Sequence, residues 1–129
     1  MSGLVNQSAD ARSKTIGQNF RVRAWVTFNG SQLSGTITNH SSGNVSSITV
    51  HSKGVYTINF TTALPDANYA VAGIPNGNAS NAEDMEIMID TGTAPTASAC
   101  KIFAASGHTP GSVTGVVNNP TSIRMIFVR

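Results

Sequence analysis

The sequence predicts an all-β fold, an antiparallel β-sandwich or jelly-roll-like single domain preceded by an N-terminal arm. Three observations carry that expectation: the composition, a period-two alternation of apolar residues, and turn residues recurring roughly every ten positions. Of 129 residues, 40% are hydrophobic but only 11% are charged, against roughly 25% charged in an average soluble domain. Ser, Thr, Asn and Gly together fill about two-fifths of the chain, so hydroxyls and amides must cover the surface. Thr is β-branched and stiff at χ1, while Ser and Asn bond to nearby backbone and compete with a helix. The length suits one domain and is too short for two ordinary ones.

Residues 1–19 are small and polar, lack sustained periodicity and end in Gly17-Gln18-Asn19; they read as the arm, and the sandwich domain spans 20–129. From Phe20 the chain alternates strictly, with Phe20, Val22, Ala24, Val26 and Phe28 on one face and Arg21, Arg23, Trp25 and Thr27 on the other. This is a strand. Asn29-Gly30 then offers residues that tolerate positive φ, as a tight turn demands. Leu33 to Thr38, Val45 to Val50 and Val55 to Phe60 are rich in Thr, Val and Ile; His40-Ser41-Ser42-Gly43 and Ser52-Lys53-Gly54 separate them. An antiparallel meander is expected. In Leu64-Pro65-Asp66-Ala67-Asn68 proline fixes φ and the Asp and Asn side chains bond their own backbone, a rigid turn before a strand from Tyr69 to Ile74 that Pro75-Asn76-Gly77-Asn78 closes.

Ser80 to Asp90 admits two readings. Ser80 and Glu83 have capping-box spacing, and Glu83 and Asp84 sit where a helix N-terminus favours acids. Met85, Ile87 and Ile89 nevertheless alternate with Glu86, Met88 and Asp90, which favours a strand. Apolar runs at Ala99 to Ala105, Val113 to Val117 and Ile123 to Val128 complete about eight or nine strands, with Gly107 to Gly111 and Asn118-Asn119-Pro120 between them. Tyr56, Ile58 and Phe60, and likewise Ile123, Met125 and Phe127, share a face and are assigned to the core.

Two blocks carry a family resemblance. Arg23-Ala24-Trp25-Val26-Thr27-Phe28-Asn29-Gly30 and Gly43-Asn44-Val45-Ser46-Ser47-Ile48-Thr49 are followed by Gly54-Val55-Tyr56-Thr57-Ile58-Asn59-Phe60-Thr61-Thr62-Ala63-Leu64-Pro65-Asp66-Ala67-Asn68-Tyr69. These strings resemble the RAWVNFNG, GNVSSIT and GxYTxNFTTxxPDANY segments of tail-fibre-tip modules and other virion structural modules of tailed bacteriophages. The resemblance covers about Phe20 to Gly73 and, weakly, Ile123 to Arg129. It implies a non-enzymatic β-rich tip or knob, commonly a homotrimer, that faces the host and is located in the virion after synthesis in the host cytoplasm. In that family the module usually ends a longer fibre, whereas only about nineteen residues precede it here. A capsid decoration protein of the cement or head-fibre kind is therefore the alternative.

Other function classes find little footing. The formal net charge is +2, but the eight basic residues form no run or stripe, so no nucleic-acid partner is expected. Cys100 is the single cysteine, which excludes an intrachain disulfide and reads as a reduced thiol packed as a small apolar group. Met1 to Lys14 lacks an apolar signal core, and no run of eighteen apolar residues exists, so neither signal-directed export nor membrane insertion is expected. His40, His51 and His108 fall in or beside turns without the paired spacing of a metal or catalytic site. Glu83, Asp84, Glu86 and Asp90 could serve glycan cleavage or, with Asn76, Asn78 and Asn81, offer oxygens to Ca²⁺. A solvated strand edge is the simpler reading of Asp84, Glu86 and Asp90, so no enzyme activity and no cofactor or metal are expected.

What remains is contact. Trp25 stands between Arg23 and Thr27 on the polar face of its strand, where it is exposed unless Arg stacking, a second sheet or a neighbouring subunit covers it, or it serves as a platform on which a ligand stacks. Arg23, Trp25 and Thr27 are thus the candidate oligomer interface. Asn76, Gly77, Asn78, Ser80, Asn81 and His108 are candidate surface-contact residues in loops that could meet host cell-surface glycan. Residues 1–19 are the candidate link to other virion proteins.

Overall fold

A computed structural model describes residues 21–76, 85–106, 116–117 and 119–129. The arm, Phe20 and the loop residues Gly77, Asn78, Ser80, Asn81 and His108 lie outside the described residues, as does the capping-box pair Ser80 and Glu83. The described chain is all-β: β1 (Val22–Phe28), β2 (Gly35–Ile37), β3 (Ser41–Gly43), β4 (Val45–Ser52), β5 (Val55–Phe60), β6 (Ala70–Asn76), β7 (Met85–Ile89), β8 (Ala99–Ser106), β9 (Val116–Val117) and β10 (Ser122–Val128). The strands form two antiparallel sheets packed face to face, a β-sandwich. One has the order β3-β1-β10-β6; the other runs β2-β4-β5-β8-β7, with β9 paired to β8.

Alternation decides which side chains meet between the sheets. Ala24, Val26 and Phe28 of β1 and Ile123, Met125 and Phe127 of β10 face Val45, Ile48 and Val50 of β4, Tyr56, Ile58 and Phe60 of β5, and Cys100, Ile102 and Ala104 of β8; all are buried. Phe60, Tyr69 and Phe127 meet edge to face, with centroids 5.0–5.9 Å apart, and Phe28 and Tyr56 do so at 5.3 Å. Edge-to-face pairs add to the area they bury. The core strands expected from the sequence, including Tyr56, Ile58, Phe60, Ile123, Met125 and Phe127, are therefore in place.

Several expectations need correction. Asn29-Gly30 is not a tight hairpin turn, because β1 and β2 belong to different sheets. Gly30 does not adopt positive φ; it is required for space, since a Cβ there would lie 2.7 Å from the Tyr56 hydroxyl and 2.9 Å from the Pro120 carbonyl. Tyr56 donates to the Gly30 carbonyl at 2.5 Å, and Gly30 N–H donates to Pro120 at 3.0 Å. Among the described residues, positive φ values fall at Gly35, Gly54 and Asn44. Asn tolerates this left-handed conformation better than most residues. At the corner between β3 and β4, Asn44 Nδ2 donates to the Arg23 and Thr62 carbonyls and its Oδ1 accepts from Thr62 N–H. One amide thereby ties β1, the corner and the segment after β5.

The expected meander is interrupted as well. Ser41-Ser42-Gly43, read as part of a turn, forms β3, which pairs with β1 in the other sheet. The strand expected over Leu33 to Thr38 shrinks to Gly35–Ile37, leaving Leu33 exposed outside it. Val22 departs from the face of Ala24 because the β1–β10 register shifts between them, and it is exposed. Pro75 continues β6 instead of closing it; β6 is an edge strand, where a residue without N–H leaves no gap in the sheet. Of the run Val113 to Val117, the described part is Val116–Val117. Of Ser80 to Asp90, the described part forms the strand β7 over Met85–Ile89, and residues 80–84 lie outside the described residues.

Candidate functional site, the outer face of the four-stranded sheet

Register determines which outward side chains become neighbours. Across the four-stranded sheet, Gly43, Trp25, Ile126 and Ala72 fall in one row, and Ser41, Thr27, Arg124 and Ile74 in the next. Trp25 remains 43% exposed, Ile126 42% and Ile74 69%, so apolar groups from three adjacent strands are contiguous on the surface. Between them lies a hollow of about 370 Å³, lined by Trp25, Thr27, Ala72, Ile74, Arg124 and Ile126. Contiguous exposed apolar surface rimmed by polar groups marks a contact site more often than does a scattered apolar residue.

One side of Trp25 has an intrachain partner. Its indole lies across Gly43 of β3, where an added Cβ would collide with the ring. The expectation that Trp25 points outward holds, and the rest of the ring is open. Arg23 is only half exposed, its Nε donating at 2.8 Å to the Arg129 carbonyl, which also accepts from Arg21 N–H at the end of the β1–β10 pairing. Thr27 is half-buried beside Arg124. Arg124 is exposed and donates to Asn76 Oδ1 at 3.2 Å. The described strands of this face contribute the two guanidinium groups of Arg23 and Arg124 and no carboxylate.

Sequence reasoning missed Ala72, Ile74, Arg124 and Ile126. Ile126 carried the same signal as Trp25, a large apolar residue on the polar side of an alternating strand. Its neighbours could be known only from register. Of the loop candidates, Asn76 is described: it ends β6, is exposed, and receives the Arg124 hydrogen bond.

The opposite outer face differs. On the larger sheet, Asn59 Nδ2 donates to Ser47 Oγ at 3.2 Å and Thr49 Oγ1 at 3.0 Å, and His51 Nε2 lies 2.8 Å from Thr57 Oγ1. Beside them Lys101 pairs with Asp90 at 2.9 Å. Asp90 was expected on a solvated edge with Glu86; instead it is buried, held by Lys101 and by Gly92 N–H at 2.8 Å. The Lys101 hydrogen bond first, and the Gly92 amide second, hold its carboxyl below the ordinary range. Asp66 is likewise lowered, first by Arg129, whose Nε and NH2 reach its two oxygens at 2.9 and 2.6 Å, and then by Asn68 N–H.

Cys100, Tyr56 and Tyr69 are buried. Cys100 is fully buried, and burial pushes its thiol pKa up, favouring the neutral form. Burial also pushes the Tyr56 phenol up to about 12 and raises that of Tyr69, whose hydroxyl sits 3.1 Å from the Thr96 and Ala99 carbonyls. Among the described residues, no group of three His, Cys, Asp or Glu converges as a metal site would require, and no helix is long and apolar enough to cross a membrane. No family model, no curated protein and no solved structure matches this chain.

Proposed function

We propose that this chain is a non-enzymatic structural module of a tailed-phage particle, of the tail-fibre-tip type, which assembles as an oligomer and presents a host-facing surface. The observation that carries the reading is the apolar row Trp25–Ile126–Ala72 with Ile74, left open on the outside of a sheet whose inner face already fills the core. A β-sandwich with one unfilled outer face is suited to contact with another protein surface. The resemblance of Arg23 to Gly30 and Gly54 to Tyr69 to virion modules supplies the setting. Arg23, Trp25 and Thr27 lie on the proposed interface, and a homotrimer is the expected assembly.

Sedimentation equilibrium of the full chain tests the assembly: a trimer at micromolar concentration is expected, and a stable monomer overturns it. Identification of the chain in purified particles tests the setting. A few copies at the tail support the tip reading, many copies at lattice positions support capsid decoration instead, and absence from particles ends both.

A further inference from the structure

Charge and spacing on the two faces of the sandwich specify what the open face receives. We infer that the hollow beside Trp25 docks the outward side of β7 of a second copy, with Glu86 of that copy meeting Arg124 and its Met88 meeting Ile126 and Trp25. The inference rests on the self-assembly reading above and names the two surfaces that join.

On the receiving side, Arg124 and Ile126 stand two residues apart on β10, a base and an apolar group on one face. On the presenting side, Glu86 and Met88 stand two residues apart on β7, an acid and an apolar group on one face; Glu86 is exposed and Met88 is 41% exposed. Both pairs have the same spacing, about 6.7 Å along a strand, so the charged and apolar partners can engage together. Glu86 is also the available acid. Among the described carboxylates, Asp66 is paired with Arg129 and Asp90 with Lys101, while Glu86 has no cationic partner among the described residues.

Charge disfavours the simpler alternative of two copies joining through identical faces. That arrangement would gather Arg23 and Arg124 of both copies at one interface with no carboxylate from the described strands of that face, and like charges gathered at an interface are costly. Using two different patches makes the contact heterologous, the kind that closes into a ring when the rotation permits. The patches flank one margin of the sandwich, where Gly73 of β6 approaches Ile87 of β7, so each subunit can give and receive at once.

The test is sedimentation velocity on the full chain with Arg124→Glu, Glu86→Arg, the double exchange, and Trp25→Ser as reference, each checked for a wild-type circular dichroism spectrum. Each single charge reversal is expected to raise the dissociation constant by at least ~10-fold, and the double exchange to return most of that loss, since opposite charges face each other again. If Trp25→Ser abolishes assembly but the charge reversals leave it unchanged, or the double exchange stays as dissociated as the singles, self-assembly stands and this pairing is overturned. If the wild-type chain is itself monomeric, both fall.

Discussion

The two outer faces of the sandwich are built from the same kind of strand and face the same solvent, yet they leave opposite surfaces. Over β4, β5 and β8 of the larger sheet, outward polar side chains satisfy one another: Asn59 joins Ser47 and Thr49, His51 meets Thr57, and Lys101 holds Asp90. On the four-stranded sheet, Trp25, Ile126 and Ile74 have neighbours but incomplete cover. A low-charge chain can cover a sheet with hydroxyls and amides, as it does on the first face, so the apolar row on the second is not forced by composition. Away from its β7 margin, the first face is a surface finished within one chain, whereas the second awaits another.

Matched substitutions would break this comparison most directly. Trp25→Glu places a charge at the centre of the apolar row and is expected to cost at least about 2 kcal/mol of association, roughly 30-fold in dissociation constant. Thr36→Glu, at an exposed position on β2 of the other sheet, should leave association unchanged. Sedimentation of both variants beside the wild type measures the contrast; equal losses, or no loss from Trp25→Glu, would erase the distinction between the faces.

Gly43→Ala sharpens the same contrast from beneath. The added methyl enters the space of the Trp25 indole, so the ring or β3 must move. Overpacking of this kind costs about 1–3 kcal/mol, and a denaturant melt should show it together with a shifted Trp25 emission maximum. Unchanged emission and stability would mean that the indole does not rest on β3. Asn59→Ala acts on the finished face, removing two side-chain hydrogen bonds to hydroxyls that water can then reach. The expected loss is about 1 kcal/mol in the same melt with assembly unaffected, and a change in assembly would place Asn59 at a contact.

These positions also show what could be read from the sequence. The apolar pattern found β1 by strict alternation and β5, β8 and β10 as short apolar or β-branched runs; of these, β1, β5 and β10 bury every second residue of their inner stretch. It could not find β3, which contains no apolar residue and exists because β1 offers it a ladder and Trp25 needs a glycine beneath it. It closed β6 too early at Pro75, since proline breaks a central strand but not an edge, and edge position is a tertiary fact. Trp25 was recognisable as outward, while the grouping of Ile126, Ala72 and Ile74 around it came from pairings between residues about fifty and one hundred positions away.

Acid should act on the ion pairs without acting on the apolar row. Asp90 and Asp66 have folded-state pKa values below their ordinary ones, because Lys101 and Arg129 respectively bond the ionised carboxylate. Below the ordinary value, near 3.9, the unfolded chain takes up protons that the folded chain refuses, so unfolding gains free energy as pH falls. The contribution of both pairs is therefore complete above the ordinary carboxylate range and is lost as pH drops through the folded values. Thermal melts should stay level from about pH 7 to pH 5 and decline below about pH 4. Asp90→Asn should be less stable at neutral pH and decline less steeply in acid, since it has no carboxylate to protonate at that position. If its acid slope matches that of the wild type, the Asp90–Lys101 pair is not what the finished face loses in acid.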